Sequence, residues 1–101
     1  MGGKAKPLIS IVVPTYNEEK CIGRALHYLS RQTLPRELYE IIVVDGHSVD
    51  KTLELARREA DKVMLQVNKG VAGARNDGVE AAEADVVATT DADCVVPHDW
   101  L

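Results

Sequence analysis

The chain has 101 residues, 46% of them apolar and 28% charged, and carries a net charge of −4. That size and balance suit one ordinary globular domain, and the interspersed, mildly acidic charge excludes a general nucleic-acid binder, which needs a basic face. No apolar run approaches the roughly 18 residues of a membrane span, residues 1–7 lack a signal-peptide core, and Cys21 and Cys94 have no partner at metal-ligand spacing, so a cytoplasmic protein with two free thiols is expected.

After a flexible lead over residues 1–7, Leu8 to Val13 is an almost unbroken apolar run closed by Pro14, which predicts a strand buried on both faces. A helix follows: Asn17 is its expected cap, Glu18 and Glu19 suit its positive end, and Ile22, Ala25, Leu26 and Leu29 make one apolar stripe ending near Arg31. Tyr39 to Val44 holds a β-branched run, Ile41 to Val44, broken by Asp45-Gly46. Ser48 or Asp50 caps a second helix bearing Leu53, Leu55, Ala56 and Ala60. Lys62 to Val67 is a third, weaker strand. Gly70 opens a third helical segment with Val71, Ala74, Gly78, Ala81 and Ala82 on a small-residue face suited to close packing on a sheet. Asp85 to Thr90 then reads as a fourth, buried strand, and Pro97 to Leu101 as the start of another helix, so residues 8–101 are expected to be a truncated domain.

Strands alternating with helices of about 10 to 13 residues predict βαβ units, right-handed crossovers and a parallel sheet, hence an α/β fold. In such a sheet all strand carboxyl ends share one edge, and ligands bind in the crevice there. The polar clusters fall at those ends: Pro14-Thr15-Tyr16-Asn17, Asp45-Gly46-His47-Ser48 and Asp91-Ala92-Asp93. Asp91 and Asp93 are two apart, so in an extended segment their carboxylates point to one side and suit one hard cation.

These segments resemble glycosyltransferase family 2, enzymes of the GT-A type that use nucleotide-diphosphate sugars. The matches are Ile11 to Glu19, Gln32-Thr33-Leu34-Pro35, Ile41 to Asp50, Asn68-Lys69-Gly70, Ala74 to Gly78, and Thr90 to Asp93 with Pro97 and Trp100-Leu101, in family order. The resemblance implies the amino-terminal half of a Rossmann-like, three-layer GT-A fold with strand order 3-2-1-4. It implies that residues 8–101 bind a nucleotide-diphosphate sugar, with UDP-sugars favoured. Pro14, Thr15, Tyr16, Asn17 and Glu18 would line the nucleotide pocket, with Tyr16 beside the base and Asp45 accepting from a uracil-type N3–H. Arg75 would reach the nucleotide or diphosphate, Asp91 would contact the ribose or assist through water, and Asp93 with Asp91 would bind a Mg2+ or Mn2+ ion. Gly46 and His47 stand where the commoner family form has a second acid and Gly.

The family's acceptor site and carboxylate general base match no residue here, so the resemblance implies donor binding without transfer by this chain alone. A non-catalytic nucleotide-binding or assembly module is the alternative. A nucleotidyltransferase would need a Gly-rich loop where Pro14 to Asn17 stands. Should the fourth strand lack neighbours, its apolar edge is expected to favour a homo-oligomer.

Overall fold

The computed structural model describes residues 6–101; most of the lead expected over residues 1–7 falls outside them. Four parallel strands, β1 (Ile9–Thr15), β2 (Tyr39–Asp45), β3 (Lys62–Leu65) and β4 (Val86–Thr89), form one sheet in the order β3-β2-β1-β4. Three helices connect them: α1 (Ile22–Leu29), α2 (Thr52–Ala56) and α3 (Gly70–Ala81). No helix among the described residues is long and apolar enough to cross a membrane.

Alternation along the central strands creates two cores. Ile11, Val13, Ile41 and Val43 face α1 and α2, packing with Ile22, Leu26, Leu29 and Ala56. Val12, Ile42 and Val44 face the other way, onto Ala74 of α3 with Met64, Ala81, Ala82 and Val87 around them. The three-layer arrangement follows, because β1 and β2 bury both faces and each fully buried Ile or Val is worth about 2 kcal/mol over its exposed state. Gly78 is essential to the second layer: a Cβ built there would collide with Val12 Cγ1.

Several local expectations change. Pro14 does not end β1, which runs through to Thr15. The Val12 carbonyl accepts from Thr90 N on the β4 side, and the Thr15 carbonyl accepts from Gly46 N on the β2 side. By alternation Pro14 faces the β4 side, beyond the last β1–β4 pair, Val12 with Thr89, where no ladder donor is needed. Helices α1 and α2 are also shorter than expected, with 8 and 5 residues, whereas the 12 residues of α3 fall within the expected length. Val71 lies on the open side of α3, at 58% exposure, and Asp77 takes a buried place beside Ala74 and Gly78. Strand β4 is an edge strand and not a buried one; Val86 is 57% exposed. Pro97 to Leu101 is no helix but a turn, closed by Trp100 N to Pro97 O at 3.2 Å and tied to the end of α1 by Gln32.

Candidate functional site: a crevice at the carboxyl ends of the strands

The strand order reverses beside β1, and a cleft of about 470 Å³ opens there at the carboxyl edge. Pro14 and Thr15 line it from the end of β1, Tyr16 and Glu18 from the turn that follows, Gly46 from the loop after β2, Gln66 from the loop after β3, Gly70, Val71 and Ala74 from α3, and Asp91, Ala92 and Asp93 from the segment after β4. A larger hollow of about 830 Å³ lies at the opposite, amino edge. Most of its charges are paired with one another, Arg36 with Asp61 at 2.7 Å and Lys62 with Glu40 at 3.1 Å, and the motif residues are at the other end.

Tyr16 is 60% exposed, its ring lying over Gly46: a Cβ at Gly46 would sit 3.5 Å from Tyr16 Cδ1. The turn that carries it is clamped to the loop after β2. Asn17 N donates to Ser48 Oγ at 2.7 Å, Asn17 Oδ1 accepts from Val49 N at 2.9 Å, and Glu18 N donates to Thr52 Oγ1 at 2.8 Å. Asn17 therefore does not cap α1, which begins at Ile22 without a side-chain cap. Asn17 takes the left-handed conformation, φ 50°, and His47 opposite it does the same at φ 67°, so both loops turn sharply where they meet. Asp50 completes the clamp, accepting from Thr52 N at 2.9 Å and from Glu19 N at 3.3 Å. Burial pushes its carboxyl up, but these bonds and that of the Thr52 hydroxyl outweigh it and hold the pKa below the ordinary value.

Asp45 does not open onto the cleft. It is 0% exposed, and its carboxylate accepts from Thr15 Oγ1 at 2.8 Å, Ser48 N at 2.7 Å and Ser48 Oγ at 2.6 Å. In the structure the acid expected to meet the base thus organises the loops beneath the pocket. His47 is an exposed loop residue whose Nε2 donates to the Gln66 carbonyl at 2.9 Å.

On the opposite wall, Ala92 is buried in the core under α1 while Asp91 and Asp93 project outward. Their carboxylate oxygens and Cys94 Sγ lie within 4.8 Å of one another. Two carboxylates so close suit a hard divalent ion, with the thiol as a softer third donor that sequence spacing did not suggest. Arg75 Nη2 stands 3.6 Å from Asp91 Oδ1, both groups about half exposed, so a guanidinium and the acid pair meet over the same space.

Two supporting residues escaped the sequence reading. Asp77, buried on α3, accepts from Val67 N at 2.6 Å and from Asn68 Nδ2 at 2.6 Å, fixing the loop after β3. Its place three residues after Ala74, with Gly78 four residues after Ala74 on the same helix face, was the available signal. Gln66 lines the cleft within that loop, and no motif marks it.

A parallel three-layer sheet with its polar crevice at the strand-order reversal, acids on one wall and an aromatic turn on the other, defines part of a GT-A glycosyltransferase. The model of glycosyl transferase family 2 matches residues 10–101, and the chain belongs to that family. Glycosyltransferase AglE of Haloferax volcanii is 35% identical over 101 residues, covering 94% of this chain and 33% of that protein. Residues 1–349 of Staphylococcus aureus TarS superpose with a TM-score of 0.80 at 32% identity, over 90% of this chain and 29% of that one. The mannosyltransferase PcManGT of Pyrobaculum calidifontis, solved with GDP-Man and Mn2+, gives 0.80 at 34% identity, over 92% and 29%. The chain thus spans a third or less of the length of each of these relatives.

Proposed function

We propose that this chain is the donor-binding part of an inverting glycosyltransferase of the hexosyltransferase type and holds a nucleotide-diphosphate sugar, with UDP-sugars favoured, in the crevice. The observation that carries the proposal is the convergence of Tyr16, Arg75, Asp91 and Asp93 around one cleft at the switch point. The relatives' ligands support it: TarS is solved with UDP and with UDP-GlcNAc, and PcManGT with GDP-Man and Mn2+.

In this reading Pro14 and Thr15 shape the base pocket, Tyr16 offers its ring to the base, and Asn17 and Glu18 hold that turn in place. Stacking on Tyr16 is worth about 1 to 3 kcal/mol. Arg75 takes a diphosphate oxygen, and Asp91 with Asp93 holds Mg2+ or Mn2+, Asp91 also reaching the ribose. The bound ion would neutralise charge on the departing diphosphate. The chain's own residues position the donor, and the general base and acceptor site belong to another part of the enzyme, so these residues alone bind without transferring. A cytoplasmic location, and pairing of two copies along the outer edge of β4, belong to the same reading.

Calorimetry with UDP and GDP, each with and without Mn2+, tests it. Binding that strengthens with Mn2+ and favours UDP is expected; no binding by either nucleotide would overturn the proposal.

A further inference from the structure

We infer that Gln66 reads the nucleobase, its carboxamide oxygen accepting an imino N–H from the base's Watson–Crick edge. The inference rests on the donor-binding reading and adds a specificity determinant to it.

Gln66 is locked from every side except one. Its backbone N–H donates to the Asp45 carbonyl at 2.7 Å, and its own carbonyl accepts from His47 Nε2 at 2.9 Å. The side-chain Nε2 donates to two carbonyls, Asn68 O at 2.5 Å and Gly70 O at 2.8 Å. A carbonyl oxygen only accepts, so the amide has one orientation: both its donors are spent and Oε1 faces the other way. That way is the gap over Gly46, where a Cβ would lie 3.1 Å from Gln66 Oε1 and 3.5 Å from Tyr16 Cδ1. Among the described residues no donor reaches Oε1.

A fixed acceptor and an aromatic ring therefore flank one small gap in the cleft wall, and Gly46 leaves it open. Asp45, the acid expected to meet the base, is occupied by Thr15 and Ser48. Uracil N3 and guanine N1 carry a hydrogen that such an acceptor takes up; cytosine N3 and adenine N1 present a lone pair that it repels. The class recognised is thus a nucleotide whose base has an imino N–H, and the class rejected includes cytidine nucleotides.

Calorimetry in saturating Mn2+ with UDP, CDP and N3-methyl-UDP tests the assignment. The wild type is expected to bind UDP roughly tenfold more tightly than either of the others. Gln66→Met should abolish the preference for UDP over CDP, weakening UDP and easing the repulsion of CDP, so that a CDP affinity at or above that of the wild type shows that the cleft still forms. Adding Gly46→Asp to that variant places an acceptor in the same gap and should restore the preference. Equal wild-type affinities for UDP and CDP, or a Gln66→Met chain that keeps the wild-type ratio, would overturn the assignment without touching the donor-binding reading. Wild-type chain that binds none of the three nucleotides would instead remove the donor-binding reading, and this assignment with it.

Discussion

Thr15 and Asp45, paired in register at the carboxyl ends of β1 and β2, share a hydrogen bond of 2.8 Å from Thr15 Oγ1 to Asp45 Oδ1. The bond joins the two strands at their last paired position, and Ser48 completes it from the β2 side.

Removing the acid should therefore cost stability first and binding second. Asp45→Ala leaves the buried Thr15 hydroxyl and the Ser48 N–H without their acceptor, a loss of about 2 to 4 kcal/mol. Thr15→Val removes one donor and should cost about 1 kcal/mol. Urea unfolding of the two variants measures the difference; equal losses would show that Asp45 does not hold the loops.

Arg75 and the acid pair make opposing predictions for metal and nucleotide. With its guanidinium 3.6 Å from Asp91, Arg75 occupies the charge that a cation would meet, so Arg75→Ala should raise affinity for Mn2+ alone by a few-fold. The same change should weaken UDP in the presence of Mn2+ by about tenfold or more, because a charge-assisted contact to the diphosphate is lost. Asp93→Asn should lower both affinities. Parallel titrations with Mn2+ and with UDP separate these outcomes.

Acid should loosen the loop after β3. The Asp77 carboxyl is held below its ordinary pKa by the Val67 N–H; burial opposes this, and the Asn68 backbone and side chain add to it. A carboxyl lowered in the folded state stabilises fully at neutral pH, begins to lose that contribution as pH falls through the unfolded value of 3.8, and has lost it below the folded value. Asp77→Asn should flatten this part of the acid dependence, as read from urea midpoints between pH 7 and pH 3.

Two glycine-to-alanine changes should differ in sign. At Gly78 the added methyl meets Val12 Cγ1 and should destabilise by about 1 to 3 kcal/mol. At Gly23, exposed on α1 with nothing within 4 Å, it should stabilise by about 0.5 to 1 kcal/mol through helix propensity. Thermal melts of both variants suffice.

Much of this architecture was legible in the residues. Apolar runs at Ile11–Val13 and Ile41–Val44 mark the two central strands because both of their faces are buried, and the turn chemistry after them marks the crevice edge. What could not be read is tertiary in origin. Asn17 looks like a helix cap, yet its partners, Ser48 and Val49, come from a loop some thirty residues away. Ser10 and Glu40 sit inside otherwise apolar strands because they satisfy each other at 2.5 Å, a pairing that only the β1–β2 register brings about. Asp45 illustrates the same limit: its place at a strand end was legible, but its three internal donors were not.

The two walls of the crevice are held with unequal firmness. The Tyr16 wall is bolted to its neighbour by bonds from Asn17, Glu18 and Glu19, whereas the Asp91–Cys94 turn carries a single backbone bond, Cys94 N to Asp91 O at 3.1 Å, the half-exposed ion pair of Asp91 with Arg75, and the anchor of Ala92. The entropy lost on ligand binding therefore falls mainly on the acidic wall, since the other is ordered in advance. A nucleoside would find its berth ready-made, while the diphosphate end would have to be assembled around the ligand.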